Sequence, residues 1–172
     1  MPEPITKPVP VPSDASSQQL GEPQPDAWPV FVWQSALDQA VAHAERDLSR
    51  EQAGFLLGGC YRDQSEYIEV RTFLPANHVQ SNLTSLTFTH DTWAALNRQV
   101  EEECPEESVV GWYHSHPGFG VFLSGRDLFI HRHFFSQPWQ ISLVIDPRRS
   151  ELAFFQWRRK EIVDCGFEFL PQ

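Results

Sequence analysis

Residues 111–127, GWYHSHPGFGVFLSGRD, constrain this chain more than any other stretch. Together with the SVV that precedes it, the first part reads as a strand, residues 108–114, running directly into His114 and His116. Residues at i and i+2 of an extended strand share a face, so both imidazoles project the same way. A Pro- and Gly-containing loop follows, and Ser124-x-x-Asp127 then has the form of a capped helix start. Any fold must therefore place a strand, a returning loop and the first turn of a helix around one point. Two imidazole nitrogens and one carboxylate oxygen are the ligand set of a catalytic zinc that keeps its fourth position open for water. The chemistry implied is metal-assisted hydrolysis.

The chain carries an internal control. His131 and His133 repeat the i, i+2 spacing, but they fall in the helix expected over 125–135, where that spacing sends side chains to different faces. They are expected to be structural or solvent-facing. The Ser124–Asp127 pair also has a purely structural reading as a helix cap, worth about 1 kcal/mol. The two readings are compatible, because a capped first turn holds the Asp127 carboxylate rigid.

Elsewhere the pattern is that of a mixed α/β chain. Leu37, Ala40, Val41, Ala44 and Leu48 recur at helical spacing, with Ser35 expected as N-cap and an end near Ser49. Strands are expected over 54–59, 67–74 and 86–89, then a helix over 91–103. Further strands are expected over 140–145, 151–157 and 162–169, with a turn at Asp146-Pro147. The sum is an α/β (α+β) domain, 28–172, with a largely antiparallel sheet and helices packed on it. Residues 1–27 hold seven prolines (Pro2, Pro4, Pro8, Pro10, Pro12, Pro23 and Pro25), and are expected to be a disordered, partly polyproline tail.

A net charge of −10 argues against a nucleic-acid partner, whose binding surface would be basic. No apolar run approaches the roughly 20 residues that span a bilayer, so no membrane role is expected. Cys60, Cys104 and Cys165 are odd in number and form no CxxC pair, which points to a reducing, cytoplasmic setting.

Metal-assisted hydrolysis also needs a group that carries protons, and residues 111–127 contain no glutamate. Glu45, Glu51, Glu66, Glu69 and the run 101–103 are all candidates. The run 101–103 reads as a solvated helix end and Glu45 lies within a helix, whereas Glu51 stands at a helix-to-strand junction just before the glycine-containing segment 54–58, where glycines permit close backbone approach; the residues alone leave the base open. The loop 118–123, GFGVFL, would lie beside the metal, with Phe119 and Phe122 as candidate substrate contacts.

Residues 51–58 (EQAGFLLG), 111–117 (GWYHSHP) and 124–127 (SGRD), continued by VIDP at 144–147, resemble the JAMM/MPN family of zinc metalloproteases. The family pattern is an upstream Glu, then His-x-His-Pro, then Ser-x-x-Asp. Every position is filled, and the resemblance covers most of residues 30–157. It implies the MPN fold, a curved, mostly antiparallel sheet flanked by helices. It implies that His114, His116 and Asp127 bind one Zn2+, that Glu51 is the general acid/base and that Ser124 stabilises the oxyanion. The implied reaction is isopeptide or peptide cleavage after the C-terminal Gly-Gly of ubiquitin or a ubiquitin-like protein, by precursor processing or deconjugation. E1- and E2-like conjugation enzymes are the implied pathway partners. The chain looks compact, without the long insertions by which ubiquitin-chain-specific members grip two ubiquitins, and so is similar to compact prokaryotic members. A non-catalytic MPN scaffold in a pathway complex is the competing expectation. Hydrolysis of a small-molecule amide or deaminase-like zinc chemistry is a third, and the Pro-Cys-x-x-Cys of zinc deaminases is absent.

Overall fold

The computed structural model describes residues 4–10 and 18–171. In chain order the elements are β1 (Ile5–Thr6), β2 (Gln18–Leu20), β3 (Val30–Trp33), α1 (Gln34–Glu45), β4 (Ala53–Arg62), β5 (Glu66–Pro75), β6 (Gln80–Ser81) and β7 (Leu86–Thr87). They continue with α2 (His90–Glu103), β8 (Ser108–Ser115), α3 (Gly125–Phe134), β9 (Ile141–Asp146), β10 (Glu151–Arg158), β11 (Glu161–Cys165) and β12 (Phe167–Leu170).

One sheet runs in the order β11-β10-β9-β8-β4-β5-β3-β12-β2, with β1 attached to β4. Most of its pairings are antiparallel; β8–β9, β3–β5, β12–β3 and β1–β4 are parallel. The expected strand over 162–169 is two strands, split at Gly166. β11 lies at one edge of the sheet and β12 is one strand in from the other. A single residue joins them, and consecutive Cα atoms are only about 3.8 Å apart. The two edges must therefore approach each other, which curls the sheet. A Cβ at Gly166 would meet the Glu22 carbonyl carbon and the Pro23 nitrogen at 2.7 Å, so only glycine fits where the ends meet.

The alternation of β4 separates two cores. Leu56 joins Val32, Val70, Phe73, Tyr113 and Ile145 under α1, whose buried side is Ala36, Leu37, Ala40 and Ala44. Phe55 and Leu57 point the other way, to Trp112, Leu96 of α2, and Ile130 and Phe135 at α3. The central strands are thus covered on both faces.

Three further expectations are corrected. Ser35 does not cap α1: β3 runs straight into the helix, and Trp33 occupies the cap position without a side-chain cap hydrogen bond. That strand, VFVW, is too short to show a period. The strand expected over 86–89 is only Leu86–Thr87, and it pairs with β6 in a separate two-stranded sheet. Finally, the described part of the N-terminal segment packs on the domain. Ile5 and Thr6 pair with Tyr61 and Arg62, Gln18–Leu20 pairs with β12, and Tyr67 Oη donates to the Lys7 and Pro8 carbonyls. Lys7 reaches the buried Glu69 carboxylate at 2.5 Å. Proline disfavours helices and interior strands but suits extended edge segments, and a buried anion anchors this one. The tail positions 1–3 and 11–17 lie outside the described residues. Among the described residues no helix is long and apolar enough to cross a membrane.

Candidate metal centre

The site is assembled by register. β4 and β8 are antiparallel with Ala53 opposite His114, so continuing the ladder sets Glu51 opposite His116. Gln52 extends that ladder beyond the strand: its carbonyl accepts from Ser115 N at 2.9 Å, and its amide donates to Ser115 Oγ at 2.7 Å. The serine between the two histidines thereby clamps the glutamate segment to them. On the other side, His116 N donates to the Ile145 carbonyl of β9 at 2.9 Å. Glu51 N donates to the Asn82 carbonyl at 2.8 Å, tying in the β6–β7 turn.

α3 brings Asp127. Ser124 is its N-cap, with Oγ accepting from Asp127 N at 3.1 Å and Ser124 N donating to Asp127 Oδ2 at 2.9 Å. This reciprocal box aims the carboxylate at the histidines. Arg126 fastens the same turn to β7 through the Leu86 carbonyl and Thr87 Oγ1.

Three donor atoms then form a nearly equilateral triangle. His114 Nε2 and His116 Nε2 are 3.0 Å apart, and Asp127 Oδ2 is 3.1 Å from the first and 3.2 Å from the second. A tetrahedral zinc with bonds of about 2.0–2.1 Å spaces its ligands roughly 3.3 Å apart, so the triangle is close to the size such an ion needs. Glu51 Oε1 lies 3.5 Å from His116 Nε2, and one donor atom from each of the four residues falls within 4.8 Å of the others. All four side chains are buried. Lone pairs packed this closely in a dry site repel unless a cation or a proton lies between them.

The electrostatics suit a cation. Burial lowers the pKa of His114 against the pull of Asp127, favouring the neutral imidazole that metals require. Burial alone would raise Asp127, but the two histidines and the Ser124 amide outweigh it and hold the carboxylate well below the usual range. For His116 burial is again opposed, and here the contacts with Asp127, Glu51 and the Gly120 carbonyl win and raise its pKa. Its Nδ1 lies 3.1 Å from that carbonyl, which leaves Nε2 as the nitrogen facing the cluster. Glu51 is pushed up to about 7 by burial and by the Asp127 charge, with His116 and Arg126 pulling the other way. A carboxyl poised near neutrality can both take and give a proton.

A pocket of about 110 Å³ opens onto this cluster, lined by Glu51, His116, Ser124, Phe119, Phe122, Leu83 and Thr84. Phe119 and Phe122 are each 46% exposed, and the Phe122 ring sits 4.8 Å from that of His116. Leu83 and Thr84 carried no signal in the sequence, because a loop more than thirty residues away in the chain brings them here. His133 is exposed, with Nδ1 2.8 Å from the Phe129 carbonyl. His131 is buried and accepts from Trp112 Nε1 at 3.0 Å, a structural role. Of the other glutamates considered, Glu69 is buried but lies in the Lys7, Trp33 and Arg71 cluster.

Residues 29–137 match the family described as JAB1/Mov34/MPN/PAD-1 ubiquitin protease. The chain belongs to this family. It is 33% identical over 121 residues to COP9 signalosome complex subunit 5 of Caenorhabditis elegans, covering 69% of this chain and 32% of that protein. The same subunit of Eremothecium gossypii is 30% identical over 184 residues, covering 99% of this chain and 40% of its own length. The chain thus spans about a third of the length of the curated relatives it matches. The solution structure of DSY2949 from Desulfitobacterium hafniense shares the fold at a TM-score of 0.58 and 22% identity, covering 83% of this chain and 92% of that one. The MPN fold, a curled and mostly antiparallel sheet flanked by helices, is the architecture described above.

Proposed function

We propose that this MPN domain is a zinc-dependent isopeptidase or peptidase that cleaves after the C-terminal Gly-Gly of ubiquitin or a ubiquitin-like protein. The observation that carries the reading is the convergence of Glu51, His114, His116 and Asp127 at the floor of a pocket, in a family described as ubiquitin proteases. His114, His116 and Asp127 would hold the ion through the triangle of donors. A zinc ion there supplies Lewis acidity, polarising the scissile carbonyl and acidifying the attacking water.

The remaining work falls to the chain's own side chains. Glu51 takes a proton from the attacking water and delivers it to the leaving nitrogen, a cycle that a carboxyl with a pKa of about 7 performs at neutral pH. Ser124 Oγ accepts from Asp127 N, so its own hydrogen is left to donate to the oxyanion at the pocket it lines. Phe119, Phe122 and Leu83 wall the approach. At about 110 Å³ the space is well below the roughly 300–1,000 Å³ of a small-molecule site, which suits a peptide tail with no side chains to accommodate. The partner is then a ubiquitin-like protein, with E1- and E2-like enzymes in the same pathway, and the reducing cytoplasm suits three free cysteines.

Hydrolysis of a ubiquitin or ubiquitin-like fusion, followed with and without a chelator, tests this. Loss of cleavage on chelation and recovery with Zn2+ is expected, and cleavage indifferent to zinc removal would overturn it. A non-catalytic scaffold has no need of four converging, buried donors; a chain that stays metal-free after zinc-replete purification would return that reading.

A further inference from the structure

We infer that Asp146 is a positioning residue of the metal centre, bracing the 118–120 turn so that the Gly120 carbonyl orients the His116 imidazole. The inference rests on the reading of His116 as a metal ligand.

Asp146 ends β9 and is fully buried. Its Oδ1 accepts the amides of Gly118 at 2.9 Å, Arg148 at 3.0 Å and Arg149 at 3.1 Å. Its Oδ2 accepts the amide of Gly120 at 2.7 Å, with the Arg149 guanidinium 3.6 Å away. Burial alone would raise its pKa, but these amides hold the carboxylate below its ordinary value, so the brace is an anion at neutral pH. Gly118 and Gly120 both take φ of +86°, a left-handed conformation that other residues adopt only at a cost. The turn presents the Gly118 and Gly120 N–H groups to one anion, as backbone nests do, while the Phe119 N–H between them donates to the His116 carbonyl at 3.2 Å.

The turn delivers one acceptor to the site. The Gly120 carbonyl meets His116 Nδ1 at 3.1 Å, fixing the tautomer and the ring plane. Metal-ligating histidines usually make such a bond, often directly to a carboxylate. Here the carboxylate stands one step further out and acts through the backbone. Phe119 lies between the two braced glycines, so the same carboxylate also sets one wall of the pocket. In the sequence the Asp-Pro pair at 146–147 reads as a turn and as the end of the family resemblance, with no role attached to the aspartate.

Asp146→Asn isolates the effect. An amide keeps one acceptor oxygen, but whichever way it faces it turns an NH2 group toward amide donors. If the oxygen stays with Gly118, Arg148 and Arg149, the link that fails is the one to Gly120. Two quantities are read on folded protein prepared free of metal and then loaded: Zn2+ affinity by competition with a chromophoric chelator, and the visible absorption of the Co2+-substituted form. The expected result is zinc binding weaker by about 10–100-fold and a shifted cobalt spectrum. Unchanged affinity and an unchanged cobalt spectrum overturn the positioning role even if stability falls. Wild-type protein that binds no zinc overturns the metal-centre reading itself, and this inference with it. If Asp146→Asn does not fold, Gly120→Ala replaces it with the same outcomes. It strains the same turn, and its Cβ meets only Arg149 Nη1, at 3.7 Å.

Discussion

Trp112 lies flat on His114, with 4.5 Å between ring centroids and 12° between ring planes. The indole is pinned from its far edge, where Nε1 donates to His131 Nδ1 at 3.0 Å, and it stacks in turn on Phe135 at 5.7 Å. His114 Nδ1 is buried with no hydrogen-bond partner among the described residues. The two histidines of the centre are therefore held by different means, His116 by a hydrogen bond and His114 by a stack.

Trp112→Phe keeps a ring at this position and removes the N–H. His131 Nδ1 is then buried without its donor, which costs about 1–3 kcal/mol. Chemical denaturation in chelator should show that loss. Zinc affinity should fall as well, because the ring against His114 is no longer anchored. A variant with wild-type zinc affinity would mean that the stack does not orient His114.

His131 also makes stability depend on pH. Burial, reinforced by the neighbouring His114, lowers its pKa from the ordinary 6.5 to about 4. The unfolded chain therefore binds a proton through that window and the native state does not. Stability from this group is full above pH 6.5 and is lost as pH falls toward 4, at a slope of up to about 1.4 kcal/mol per pH unit. His131→Asn, whose side-chain oxygen can take the place of Nδ1, costs packing at every pH. Denaturation of the metal-free protein between pH 7 and 4 should show a shallower slope for the variant, and parallel curves would rule out this role.

The three proposed ligands, His114, His116 and Asp127, could be read together with Ser124 because all four fall within residues 114–127, at the end of a strand and the start of a helix whose periods fix where side chains point. Glu51 was not legible from physics alone. It lies far from His116 in sequence, and only the β4–β8 register brings the two together. The same limit hid Leu83, which arrives on the β6–β7 turn, and Asp146, whose partners are backbone amides that leave no trace in composition. β3 escaped because four apolar residues show no period. The order in the N-terminal segment escaped because its anchors, Glu69 and Tyr67, belong to a distant strand.

Ser124 carries two functions that substitution can separate. Ser124→Ala removes the helix cap, at about 1 kcal/mol of stability. It also removes the hydroxyl assigned to the oxyanion, which should lower kcat by roughly 10²–10³-fold with little change in KM. Ser124→Asp restores a cap without a neutral hydroxyl and should recover stability but not turnover. Thermal denaturation beside steady-state kinetics reads both, and a kcat that recovers along with stability would leave Ser124 as a cap alone.

Glu51 and His116 lie 3.5 Å apart and are assigned opposite duties, which makes them the sharpest pair to compare. Glu51→Gln is nearly isosteric, keeps a group at the pocket floor and leaves the donor triangle intact. It should bind zinc with an affinity near that of the wild type and lose about 10²–10⁴-fold in kcat, the usual worth of general acid–base catalysis. His116→Ala removes one corner of the triangle and should lose both metal and turnover. Metal content after dialysis, measured on the same samples as cleavage of a ubiquitin-like fusion, separates the two duties. Zinc loss in Glu51→Gln would make the glutamate a fourth ligand, a position its 3.5 Å approach to His116 Nε2 would allow. Retained turnover in that variant would remove Glu51 from proton transfer and send the search for the base back to the remaining carboxylates.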